Sequence, residues 1–107
     1  MKYVIDIDGT ICYKKEEEDY DQSSPIMNRI EVINKLYEKG NQITYFTARG
    51  MGRYSDNQML AIQKFYSMTE NQLNSWGAKY HNLILGKPSA DIYIDDKGIK
   101  DEDFFAN

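Results

Sequence analysis

Apolar positions along this chain follow two periods. Tyr3-Val4-Ile5, Ile43-Thr44-Tyr45-Phe46, Leu83-Ile84-Leu85 and Ile92-Tyr93-Ile94 are short, nearly unbroken apolar runs. Runs of this length, rich in β-branched and aromatic residues, predict strands. Between the first two runs, Ile26, Ile30, Ile33 and Tyr37 recur at helical spacing, and Leu36 widens the stripe. Ser24-Pro25 reads as N-cap and first helical position, and Gly40 as the stop. A second helical region is expected from roughly Asp56 to Trp76, with Ile62, Phe65, Leu73 and Trp76 as its buried face. Thr69 and Gln72 have the spacing of a capping box, which would split this region into two helices, and Gly77 closes it. Residues Asp101 to Phe105 are expected to make a last short helix.

Strand, helix, strand, helix, strand, strand is an α/β pattern. The expected architecture is a three-layer Rossmann-like fold with a mainly parallel central sheet. In such sheets ligands bind outside the carboxyl ends of the strands.

Composition narrows the class. The 107 residues suit one domain over 1–107, and 41% hydrophobic with 28% charged residues is globular rather than disordered. No stretch is apolar enough to span a bilayer, and Met1-Lys2 runs straight into a strand, so neither a membrane nor a leader peptide is expected. Cys12 is the only cysteine, which excludes an intrachain disulfide and a multi-cysteine zinc site and fits a cytoplasmic setting. A net charge of -4 argues against general nucleic-acid binding. It leaves a phosphorylated substrate open, because a metal and a few cations reverse a local field. The charged run Lys14 to Asp19 lacks periodicity and reads as an exposed loop.

The residues ending the apolar runs carry the chemistry. The first run ends at Asp6, within Asp6-Ile7-Asp8-Gly9-Thr10; the second ends at Thr47, the third at Gly86-Lys87 and the fourth at Asp95-Asp96. Each has an ordinary explanation. Asp and Gly favour turns, Thr commonly ends strands, and a lysine is usually a solvated surface group. Parallel strands, however, bring all four ends to one edge of the sheet. There they assemble groups that bind metal and phosphate.

In that order, these residues resemble the four-motif signature of the haloacid dehalogenase superfamily, most of whose members are magnesium-dependent phosphatases. The resemblance runs from residue 3 to residue 96. It implies that Asp6 is a nucleophile forming an aspartyl-phosphate, and that Asp8 is the acid and base that serves it. It implies Mg²⁺ held by Asp6, by the backbone carbonyl of Asp8 and by an acid of the Asp95-Asp96 pair. Asp96 is the favoured direct ligand and Asp95 the water-mediated one, with the reverse order open. Thr47 would donate to a phosphoryl oxygen and Lys87 would neutralise charge. Gly9 would allow close backbone approach and Thr10 would bond within the loop. Arg49 would hold either substrate phosphate or a structural ion pair.

The chain looks like a minimal, capless member, without the cap domain that many relatives carry. Ile11 to Ser24 is expected to be a loop with a small hairpin, and Gly50 to Gly77 mostly one crossover. A capless site is open: it accepts large substrates, or a homo-oligomer completes it. Tyr13, Tyr20, Met51, Arg53 and Tyr54 are candidates for its rim or for an oligomer contact, against plain surface packing. His81 is expected in a helix-to-strand loop and Cys12 as a packing residue. Two other activities compete with phosphomonoester hydrolysis: phosphotransfer or mutase chemistry, and a phospho-accepting receiver-like signalling module. In receivers the acid pair follows the first strand and the accepting Asp the third, which is the reverse of the order here. A degenerate, non-catalytic member would have lost catalytic positions, and all of them are filled.

Overall fold

A computed structural model describes residues 1–14 and 20–106. The stretch 15–19, most of the charged run, lies outside the described residues. Strands β1 (Lys2–Ile5), β2 (Gln42–Thr47) and β3 (Asn82–Leu85) form a parallel sheet in the order β1-β2-β3. Ile5 pairs with Tyr45, and Thr47 with Leu85. Helix α1 (Met27–Glu38) connects β1 to β2, α2 (Gln58–Ser75) connects β2 to β3, and a short α3 (Asp101–Phe104) ends the chain. This is the expected α/β, Rossmann-like arrangement. No helix among the described residues is long and apolar enough to cross a membrane.

The core forms on one sheet face. Ile5, Ile43, Tyr45, Leu83 and Leu85 point there and pack with Ile30 and Ile33 of α1 and Phe65 and Leu73 of α2. Right-handed crossovers that step the same way across a sheet place their helices on the same side. Both described crossover helices, α1 and α2, therefore lie on this face. On the opposite face Val4 is 68% and Ile84 48% exposed.

Local signals were met or overridden for identifiable reasons. Helix α1 stops as expected. Gly40, at φ +95°, donates to Tyr37 O, and Asn41 donates to Leu36 O. It does not start at Ser24-Pro25. Ser24 O accepts from Tyr13 N, Ile26 N donates to Ile11 O, and Pro25 bridges Cys12, so this segment forms the small hairpin with residues 11–13. The helix begins two residues later, at Met27, without a side-chain cap.

Helix α2 is continuous over 18 residues, capped by Asn57, whose side chain accepts from Leu60 N. Thr69 and Gln72 do not cap a second helix. The Thr69 hydroxyl accepts from Arg49 and the Gln72 amide donates to Tyr20 O. Its buried stripe is Ala61, Phe65, Thr69 and Leu73 at strict four-residue spacing, which leaves Ile62 exposed.

The fourth apolar run is not a strand. Ile92-Tyr93-Ile94 forms no strand, no described backbone group pairs with it, and all three residues are exposed. Only six residues, 86–91, separate it from β3, whereas a parallel neighbour needs a crossover of about a dozen.

Candidate active site

β1 ends one residue before Asp6, and the chain then folds tightly on itself. Thr10 N and Ile11 N both donate to Ile7 O, and Gly9 N donates to Cys12 O. These bonds bury Ile7, Ile11 and Cys12 beneath the loop and leave Asp6 and Asp8 at the carboxyl edge of the sheet. They also occupy the amides of Gly9 and Thr10. Neither residue lines the cleft, so their part is to shape the loop rather than to touch a ligand.

The cleft has a volume of about 270 Å³, and Asp6, Asp8, Thr47, Arg49 and Lys87 all line it. The adjacent exits of three parallel strands bring them together. Lys87 N donates to Thr47 O, which prolongs the β2–β3 ladder and fixes the lysine beside the threonine. Lys87 Nζ stands 3.7 Å from Asp6 Oδ1. Burial raises the Asp6 carboxyl above its usual value, and the Lys87 charge is the largest influence pulling it back down.

Arg49 settles into one of its two expected roles. It is 1% exposed, and its Nε and Nη2 donate to Asp8 Oδ2 and Oδ1 at 2.9 and 3.0 Å. Its Nη1 donates to Thr69 Oγ1 at 3.2 Å, and its guanidinium lies over the Tyr20 ring at 4.9 Å. This is a buried two-pronged ion pair. Both Asp8 oxygens are engaged by it. Thr47 is buried, and its Oγ1 accepts from Arg49 N, which leaves the hydroxyl proton for another acceptor.

Asp95 and Asp96 do not join this group. Both are exposed, neither lines the cleft, and Asp95 Oδ1 accepts from the backbone of Lys97 and Gly98. Those bonds lower the Asp95 carboxyl below its usual value. Among the described residues no three acidic, cysteine or histidine groups cluster as a metal would need. One chain's cleft offers Asp6, paired with Lys87, and Asp8, paired with Arg49. That donor set does not fit Mg²⁺.

Three further residues form the walls. Tyr20 packs edge-on against Phe65, and its hydroxyl accepts from Gly50 N. Tyr93 lies under the Lys87 ammonium, 4.3 Å from ring centroid to Nζ, and its hydroxyl donates to Pro88 O. Lys14 adds a cation. Of these, only Tyr20 was a rim candidate. Met51 is buried, whereas Tyr13 and Arg53 are exposed and Tyr54 is half-buried. Tyr93 stands two residues before the acid pair, within a run expected to be a strand. His81 is structural: its Nδ1 accepts from Ile43 N, and its ring stacks on Tyr37. Burial pushes the Cys12 thiol up to about 12.

No known family model matches the chain. No curated protein matches it either. A crystal structure of a Vibrio cholerae protein is similar, with a TM-score of 0.90 and 26% sequence identity, covering 99% of this chain and 88% of that one. The likeness extends the α/β fold over the whole chain.

Proposed function

We propose that this chain is a phosphomonoester hydrolase of the haloacid dehalogenase type, working through an aspartyl-phosphate on Asp6. The observation that carries the reading is the Asp6 carboxylate at a strand exit, 3.7 Å from Lys87 Nζ and sharing a cleft with buried Thr47.

The chemistry balances with this chain's residues. An Asp6 oxygen attacks phosphorus as the ester P–O bond breaks, and the leaving oxygen takes a proton from Asp8. Water then attacks phosphorus and gives a proton to Asp8, and the P–O bond to Asp6 breaks, releasing phosphate. Thr47 donates to a phosphoryl oxygen, and Lys87 offsets charge that would otherwise hold a dianion away from Asp6. Asp8 serves only after leaving the Arg49 fork, and an entering phosphate competes for that guanidinium. Mg²⁺, expected from the resemblance, is left out of these steps because a single chain's donors do not fit it.

The test is hydrolysis of p-nitrophenyl phosphate by purified protein with Mg²⁺. Asp6→Asn should abolish turnover. Because burial disfavours ionised Asp6, the variant should be at least as stable as wild type at pH 7. That advantage should vanish as pH falls below the ordinary value of 3.8, where both proteins carry a neutral group. Full activity in Asp6→Asn would refute the assignment.

A further inference from the structure

Arg49 is held from three directions. Asp8 accepts from its Nε and Nη2, the Tyr20 ring covers its guanidinium, and its remaining nitrogen, Nη1, donates to Thr69 Oγ1 at 3.2 Å. Thr69 differs from its neighbours on the buried face of α2. It is 0% exposed, yet Ala61, Phe65 and Leu73 on the same stripe are apolar. A buried hydroxyl costs free energy unless it is hydrogen-bonded, and the structure bonds this one to Arg49.

The three holds differ in their freedom to move. Asp8 stands on the loop after β1, lines the cleft, and is 17% exposed, so its carboxyl can turn towards a ligand. Thr69 is fixed in the interior of an 18-residue helix whose buried face packs into the core. Tyr20 is pinned at both ends. Its hydroxyl accepts from Gly50 N, and its carbonyl accepts from Ser23 N and from the Gln72 amide. Gln72 also belongs to α2, so one helix braces both Thr69 and Tyr20 around the guanidinium.

We propose that Thr69 is a positioning residue: it anchors Arg49 to α2, so that the Asp8 carboxyl can leave the guanidinium and reach the leaving oxygen alone. This rests on the phosphatase reading, in which Asp8 delivers the proton. The fork occupies both Asp8 oxygens. An arginine without an anchor has the rotatable length to travel with the carboxylate. It would keep both oxygens occupied and stand between them and the ester. With Nη1 held on Thr69, Arg49 stays behind, and its Nε and Nη2 are left for a phosphoryl oxygen. A buried guanidinium without a counter-charge is costly, so Asp8 departs as the phosphoryl group arrives.

Two esters of similar shape and different leaving groups test this. Benzyl phosphate releases a strongly basic alkoxide unless a proton is delivered, whereas p-nitrophenyl phosphate releases a stable phenolate. kcat/KM covers the steps up to cleavage of the ester bond, so it isolates proton delivery from the later attack of water. Thr69→Val, which loses the hydroxyl, should lower kcat/KM for benzyl phosphate by about 10²-fold and leave that for p-nitrophenyl phosphate nearly unchanged. Thr69→Ser, which restores a hydroxyl, should restore the wild-type ratio. A Thr69 that only supports the fold would lower both substrates alike.

Should Thr69→Val fail to fold, Tyr20→Leu makes the same test by uncovering the guanidinium, and the same selective loss is expected. Lost stacking on Tyr20 would not imitate it, because both esters carry a ring. Equal losses for the two esters, or a Thr69→Ser variant that keeps the valine ratio, would overturn the role of Thr69 and leave the phosphatase reading standing. So would a wild type that cleaves p-nitrophenyl phosphate but not benzyl phosphate, since it would have no proton delivery to support. A wild type that cleaves neither would refute the phosphatase reading and the role of Thr69 with it.

Discussion

Replacing Arg49 by Met should cost this fold far more than the loss of an ordinary surface ion pair. The Arg49 side chain is 0% and Asp8 17% exposed, and two charge-assisted bonds of 2.9 and 3.0 Å join them. At a charge separation of about 4 Å and an effective dielectric of 20, their attraction is about 4 kcal/mol. Removing one member of a buried pair typically costs about 3–5 kcal/mol, because the other charge is left desolvated. Arg49→Met leaves Asp8, which still touches solvent, so about 3 kcal/mol is expected. Asp8→Asn strands a fully buried guanidinium, so about 5 kcal/mol is expected. In a domain this small, 3 kcal/mol corresponds to a fall in Tm of about 12–24 °C.

A double-mutant cycle separates the pair from the packing of each side chain. Urea denaturation of wild type, both single variants and the double variant gives four free energies. The double variant carries neither charge, and it should be more stable than the sum of the single losses by about 2 kcal/mol or more. Exposed pairs give about 0.2–1 kcal/mol in the same assay. A coupling inside that lower range, or Arg49→Met melting within about 4 °C of wild type, would show that the buried fork does not hold the cleft together.

Lys87→Met removes the charge that pulls the Asp6 carboxyl down against burial. Asp6 would then ionise at higher pH, so the acid limb of kcat/KM should move up in pH, beyond a general loss of about 10²-fold from the missing cation; an unmoved limb counts against the assigned contact. Cys12 should resist iodoacetamide at neutral pH until urea exposes it. Its folded value of about 12 against an ordinary 9.0 also means that stability drops as pH rises between those values, by at most about 1.4 kcal/mol per pH unit, and less in Cys12→Ala. Gly50→Ala would put a Cβ 2.6 Å from the Phe65 ring at φ +81°, so it should destabilise by about 1–3 kcal/mol or more in thermal melts.

Short-range patterns were legible in this sequence, and long-range competition was not. The helix stop at Gly40 and the strand-end positions of Asp6, Thr47 and Lys87 needed only neighbours in the chain or one assumption of parallel order. The Arg49–Asp8 fork spans 41 positions, and no local pattern announces it. The same remoteness explains the failed caps. Thr69 and Gln72 had the right spacing, but their side chains serve Arg49 and Tyr20. Ser24 had the right identity, but its carbonyl was claimed by Tyr13. The Ile92–Ile94 run failed for a topological reason. Its composition suits a strand, but six connecting residues cannot form a parallel crossover within one chain.

Charge at the cleft suits a phosphorylated substrate. The chain as a whole is at -4, yet Lys14, Arg49 and Lys87 face only Asp6 and Asp8 among the described lining residues, three cations against two carboxylates. A local excess of one positive charge is what a phosphate dianion requires in an acidic protein.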